Sequence, residues 1–340
     1  MPFCSAVDDE DLRLYLPEAL RGVGAIAAYQ RLGGGTYNTG LQVRLEDGRD
    51  LVVKISPPSS APRLSYEAGL LATEADYFRR TLPLGVPVPQ VLALGAGAFP
   101  GRYHLAVTKL PGGPCYGLPA ATDGPARAPL RRQLGRAVAQ AHQARCEGFG
   151  YMFERDQLRA TNWPDAFSRI MGALLDDAAR FGTDLPRPAE EIRALVGAHR
   201  GALAEVQRPV LVHWDLWDGN VLVEDTDAGP VLTGLVDAER ALHGDPVLEF
   251  PSLSVFNQQA GDPRFVINDD FLSGYSEVAG PLEVDEALRL RLALYRAYLY
   301  LVMLVEVTPR GIGGQQEHWR KTAGSAILAR QLGYLEAHLR

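Results

Sequence analysis

The hydrophobic pattern of this chain changes period at the cluster Pro111-Gly112-Gly113-Pro114. Ahead of it, Leu41-Gln42-Val43-Arg44-Leu45 alternates as a strand does, Glu46-Asp47-Gly48-Arg49 supplies a hairpin turn, and Leu51-Val52-Val53-Lys54-Ile55 returns. Val91–Leu94 and Tyr103–Leu110 read as further strands, with helices over Asp8–Leu20 and Leu64–Thr81. Beyond the cluster, Ala128–Ala144, Pro164–Arg180, Pro188–Val206, Asp269–Val278, Glu283–Val307 and Glu317–Leu339 all read as helices. The only strands expected there are short ones around Asp215 and Asp237. The pattern therefore predicts an α+β chain of two lobes. Residues 1–108 form an N-lobe of antiparallel sheet plus helix, 109–114 a hinge, and 115–340 a mainly helical C-lobe. At 340 residues there is enough chain for two lobes, each with its own core.

Charge narrows the partners. The formal net charge is −7, which argues against a general binder of nucleic acid or anionic membrane. Before residue 114 there are 11 basic and 11 acidic residues, so all of the net negative charge lies in the second part. The apolar run Ala297–Val305 is nine residues, too short to span a bilayer. Cys4, Cys115 and Cys146 are sparse and lack metal-ligand spacing, as in a reducing compartment. Asp8, Asp9, Glu10 and Asp11 stand where a secretion signal needs basic and then apolar residues, so a cytoplasmic protein is expected, as monomer or homodimer.

The chemistry concentrates in His213-Trp214-Asp215-Leu216-Trp217-Asp218-Gly219-Asn220 and in Asp237. Pro209–Val212 reads as a buried strand entering this loop, Val221–Val223 as a strand leaving it, and Val231–Val236 as a strand delivering Asp237. Two strands joined by a tight turn bring Asn220 and Asp237 together. A neutral and a charged oxygen ligand hold Mg²⁺ without trapping it, and Asp215 can take the proton of an attacking hydroxyl.

The N-lobe offers a nucleotide-binding counterpart. Gly33–Gly40 is a glycine-rich turn whose backbone N–H groups can approach phosphates, although it lacks the Gly-Lys-Ser/Thr of a Walker loop. The chain uses Arg 31 times and Lys three times, yet it keeps Lys54 inside an apolar strand. A compact ammonium there can bridge phosphate oxygens, and it needs a carboxylate partner, Glu67 or Glu74, of which Glu74 is favoured.

In their order and spacing these segments resemble the aminoglycoside phosphotransferase family, a small-molecule branch of the protein-kinase-like fold related to choline and fructosamine kinases. The resemblance runs from about Gly33 to Pro251. It rests on the Gly-rich turn, Lys54, the Glu-bearing helix, Val86-Pro-Val-Pro89, Thr108-Lys-Leu-Pro-Gly112, His-x-Asp-Leu-x-x-x-Asn, and Val236-Asp237 followed by Gly244-Asp245-Pro246. It implies a bilobal kinase using Mg²⁺ with ATP or GTP. Gly34, Gly35 and Thr36 would cover the triphosphate. Lys54 would contact phosphates and pair with Glu74, and the backbone of Thr108 to Leu110 would bond the purine. Asp215 would be the catalytic acid/base, Asn220 and Asp237 would hold the metal, and His213 and Asp245 would support the catalytic loop.

Two positions depart from the usual wording. Trp214 replaces a Gly and could wall the acceptor site, and Glu239 could be a second metal contact or polar filler. Trp217 is expected to pack under the loop, and His142 to bond within the core. Only seven residues separate Asp237 from Asp245, which leaves no room for a protein-kinase activation segment, so the acceptor is a small molecule with a free hydroxyl. Heavy use of Arg, Ala, Gly and Pro suggests a GC-rich bacterial genome, where similar kinases inactivate antibiotics or serve their biosynthesis. The expected acceptor is thus an antibiotic-like aminoglycoside, sugar or nucleoside. The alternatives are a metabolic kinase of a fructosamine, choline, homoserine or amino sugar, and a non-catalytic nucleotide-binding pseudokinase.

Overall fold

Strand alternation in the first third builds one apolar face: Leu41, Val43, Leu45, Leu51, Val53 and Ile55 are all buried. The computed structural model describes residues 7–33, 37–96, 101–118, 127–153, 155–255 and 262–339. Helix α1 (Asp9–Ala19), N-capped by Asp8, covers that face with Leu12, Tyr15, Leu16 and Ala19. The sheet is five-stranded and antiparallel, made of β1 (Ile26–Arg31), β2 (Thr39–Leu45), β3 (Asp50–Ile55), β4 (Val91–Ala96) and β5 (Tyr103–Thr108), in the order β1-β2-β3-β5-β4. Strand β1 was not expected. Its Ile-Ala-Ala-Tyr wording is largely exposed and shows no alternation.

The other face of the sheet carries α2 (Leu70–Thr81). This helix begins six residues later than its pattern suggests, because Gly69 sits at φ 63°, outside helical space. Glu67 therefore lies in the preceding turn. Leu71, Ala75 and Phe78 of α2 join one apolar cluster with the helical lobe. The core consequently does not divide at the hinge, as two separately cored lobes would require. The small core lies between α1 and the sheet, and the large one runs from α2 through the rest of the chain.

After β5, β6 (Gly113–Pro114) pairs with a later hairpin. A Cβ on Gly112, at φ 80°, would lie 2.4 Å from the Val223 carbonyl oxygen. The C-lobe then alternates short strands with helices: α3 (Ala128–Ala141), β7 (Phe149–Tyr151), β8 (Arg159–Ala160), α4 (Trp163–Arg180), α5 (Ala189–Ala198) and α6 (Arg200–Ala204). The single helix expected over Pro188–Val206 breaks at His199, whose Nε2 lies 2.9 Å from the Leu335 carbonyl oxygen. Next come β9 (Val210–Val212), β10 (Val221–Thr226), β11 (Gly229–Leu235) and β12 (Leu242–Gly244). They are followed by α7 (Phe250–Leu253), α8 (Asp269–Ala279), α9 (Glu286–Val305), α10 (Gly314–Trp319) and, after a π-helical turn, α11 (Ser325–Ala337).

Two small sheets in the C-lobe frame the site. Their strand orders are β11-β10-β6 and β8-β7-β12-β9. Helix α9 is buried, and its Tyr298 hydroxyl lies 3.1 Å from the Tyr151 hydroxyl of β7. Among the described residues no helix is long and apolar enough to cross a membrane.

Candidate active site

Register places the key groups. In the β10–β11 hairpin Val221 pairs with Leu235, so Asn220 enters where Val236 and Asp237 leave, and the Val236 N–H donates to the Asn220 carbonyl at 3.0 Å. Strand β9 ends at Val212 and delivers the loop 213–220 to the same edge. Two carboxylate oxygens of Glu249 accept the His213 and Trp214 N–H groups at 2.8 and 2.9 Å, and the Leu216 N–H donates to Ser252 Oγ. His213 accepts the Asp215 N–H at Nδ1, which leaves Nε2–H to donate to the Val236 carbonyl at 3.1 Å. Burial pushes its pKa down, so the ring stays a neutral pin between loop and hairpin. Asn220 Nδ2 donates to the Asp215 carbonyl at 2.8 Å and closes the loop on itself.

Lys54 of β3 reaches across the lobes. Its Nζ lies 2.7 and 2.8 Å from the two Glu74 oxygens and 2.6 Å from Asp237 Oδ1. Burial disfavours the ammonium, but Asp237, Glu74 and Glu239 outweigh it and raise the Lys54 pKa. Burial likewise opposes an ionised Asp237, and Lys54 overcomes it, so the Asp237 pKa falls. Asp237 sits at φ 67°, ψ 43°, an uncommon left-handed backbone for a residue with a Cβ. It still keeps 39% of its side chain open. The partner of Lys54 is thus Glu74. Glu67 instead faces Arg310 Nη2 at 2.5 Å and accepts the Leu64 N–H.

Asp215 has its pKa raised to about 6. Burial is the main cause, Arg240 opposes it, and Asp237 and Glu306 add to it. Glu239 is buried and raised to about 8, first by burial and then by Asp237, and it accepts from Asn38 Nδ2 at 2.6 Å. Glu74, Asp237 and Glu239 each offer an oxygen within 4.8 Å of the others. Both Glu74 oxygens are bonded to Lys54, whereas Asp237 and Glu239 each keep one oxygen outside their contacts with Lys54 and Asn38. An all-oxygen set of this kind suits Mg²⁺.

Several expected positions fall elsewhere. Gly34, Gly35 and Thr36 lie outside the described residues. Trp214 cannot wall an acceptor site, because it is 0% exposed and stacks on Tyr298 with centroids 5.3 Å apart. Its φ of 68° explains why a glycine suits that position. The Asp245 carboxylate accepts from the Tyr295 hydroxyl and the Val247 N–H and forms an ion pair with Arg291 at 2.9 Å, so it anchors α9. The carboxylate on the loop 213–220 is Glu249, which sequence reasoning missed. Thr108 commits its N–H and hydroxyl to Gln90 at the end of β5, and Leu110 follows that strand. Trp217 folds over Gly219 and stacks on Tyr116. His142 Nδ1 lies 2.9 Å from the Tyr275 hydroxyl, within the core. Asn38, Arg240 and Glu306 were also missed, and only Asn38, in the Gly-rich turn, carried any signal.

The model of the phosphotransferase enzyme family matches residues 28–286, and the chain belongs to that family. It is an enzyme, a phosphotransferase with an alcohol group as acceptor. Solved structures share its α+β fold. A provisionally assigned fructosamine-3-kinase from Thermobifida fusca YX-ER1 is 24% identical with a TM-score of 0.61, over 89% of this chain and 94% of that one. A thermostable mutant of aminoglycoside phosphotransferase APH(4)-Ia, in a ternary complex with AMP-PNP and hygromycin B, is 18% identical with a TM-score of 0.58, over 92% and 96%. Macrolide 2'-phosphotransferase MphH from Brachybacterium faecium is 21% identical with a TM-score of 0.51, over 94% and 98%. No curated protein matches the chain.

Proposed function

We propose that this enzyme moves the γ-phosphate of ATP or GTP to a hydroxyl of an antibiotic-like small molecule: an aminoglycoside, sugar or nucleoside. The observation that carries the reading is the 2.6 Å contact of Lys54, from the sheet, with Asp237, from the helical lobe, beside the loop that bears Asp215 and Asn220. Lys54, fixed by Glu74, orients the phosphates. The hinge around Thr108 and Leu110 receives the base, and the glycine-rich turn with Gly34, Gly35 and Thr36 covers the phosphates. Asp237 and the Asn220 amide oxygen hold Mg²⁺, which when bound supplies positive charge to the phosphates. Asp215, ionised above pH 6, accepts the proton of the attacking hydroxyl.

Solved neighbours described with hygromycin B and as a macrolide phosphotransferase support an antibiotic acceptor and a resistance or self-resistance role. The fructosamine-3-kinase assignment of another neighbour favours a second reading, a metabolic kinase of a glycated amine or amino sugar. A donor-by-acceptor screen read by mass spectrometry separates the two. A phosphate-sized mass gain on an antibiotic supports the first, and gain confined to glycated amines supports the second. Nucleotide binding with no transfer to any hydroxyl compound would mean a pseudokinase.

A further inference from the structure

The carboxylate of Asp215 is held differently from its backbone. The backbone N–H and carbonyl are bonded to His213 and Asn220. Among the described residues, the charged group within ion-pair distance of the carboxylate is Arg240, whose Nε lies 3.7 Å from Oδ2. That distance is too long for a hydrogen bond, and Arg240 Nε is buried with no hydrogen-bond partner. The guanidinium is fixed on its other sides. Its Nη2 meets Glu306 at 3.0 Å, and its Cζ lies 5.9 Å from the Tyr66 ring centroid. Glu306 is itself held by Arg320 at 2.5 Å and Arg310 at 3.3 Å, and Arg310 continues to Glu67. Glu306, Arg310 and Arg320 all lie beyond residue 286, where the family match ends.

We propose that Arg240 is a positioning residue for the Asp215 carboxylate, and that the C-terminal segment beyond residue 286 supplies, through Glu306, the buried clamp that keeps Arg240 there. This rests on the reading of Asp215 as proton acceptor. An ion pair at 3.7 Å draws Oδ2 toward Arg240 and leaves Oδ1 for the acceptor hydroxyl. The α9 helix and the turn after it thereby contribute to the transfer step without touching substrate.

The test compares Arg240→Gln, Arg240→Lys and Arg320→Gln in the full chain. Arg320 pairs with the other Glu306 oxygen, so Arg320→Gln leaves the Glu306–Arg240 contact in place and reports loss of a neighbouring ion pair alone. Misplacing a catalytic group by about 1 Å costs about 100-fold, so Arg240→Gln should lower kcat by about that factor and leave both KM values within about threefold. Arg240→Lys should recover part of kcat, and Arg320→Gln should keep kcat while lowering the melting temperature. A second arm needs no activity: a double-mutant cycle of Arg240→Gln with Asp215→Asn, read by urea unfolding. Non-additivity supports the pair. A kcat for Arg240→Gln within about threefold of wild type, or an additive cycle, overturns the proposal. Absence of transfer by the wild-type protein overturns the kinase reading instead, while the cycle still judges the pair.

Discussion

Replacing Glu306 by Gln removes one charge from the most heavily paired carboxylate near the site. Its side chain is 3% exposed and faces Arg320, Arg240 and Arg310 at 2.5, 3.0 and 3.3 Å. Burial works against its ionised form, but Arg310, Arg240 and Arg320 outweigh that and hold its pKa at about 2, from an ordinary 4.5. At about 1.4 kcal/mol per pH unit, this lowering corresponds to about 3 kcal/mol of stability. The cost of breaking a buried ion pair from one side, about 3–5 kcal/mol, agrees. Urea unfolding at pH 7 should therefore place Glu306→Gln about 3 kcal/mol below wild type. A carboxylate whose pKa is lower folded than unfolded stabilises above its unfolded value and loses that contribution as pH falls through the folded one. The gap between the two proteins should thus shrink below pH 4.5, to about half by pH 3. A gap under about 1 kcal/mol at pH 7, or one that stays constant down to pH 3, would refute this reasoning.

Further outcomes follow from the site itself. Asp215→Ala should lower kcat by at least about 100-fold while nucleotide affinity, read by calorimetry, stays nearly intact. Turnover of the wild type should rise through about pH 6 as Asp215 ionises, and a flat profile from pH 5 to 8 would remove Asp215 from the chemistry. Asp237→Ala should abolish metal-dependent nucleotide binding as well as turnover. A Cβ on Gly219 would lie 2.3 Å from the Trp217 ring, so Gly219→Ala should cost about 1–3 kcal/mol and change Trp217 fluorescence.

Local pattern carried much of the fold. The β2–β3 hairpin was legible because every second residue is apolar and the turn is Glu-Asp-Gly-Arg. Lys54 was legible because an isolated ammonium in an apolar strand demands a partner, and Glu74 is 20 residues away. The loop 213–220 and Asp237 announced themselves by spacing along two short strands. What stayed hidden was held by distant contacts. Arg310 meets Glu67 across 243 residues, and Glu249 reaches back 36 to the His213 amide. No periodicity encodes such pairs. Trp214 misled for a different reason: its bulk suggested a pocket wall, whereas the left-handed backbone turns the ring into the core against Tyr298. The Asp245 role shifted because three partners near α9 and its own turn consume its oxygens.

The most direct test of the central claim is a crystal structure of the protein with Mg²⁺ and a non-hydrolysable ATP or GTP analogue. The account predicts a metal coordinated by Asp237 and Asn220, Lys54 against the phosphates, and the Asp215 carboxylate facing the terminal phosphate. A nucleotide bound elsewhere, or a metal held by neither Asp237 nor Asn220, would contradict it.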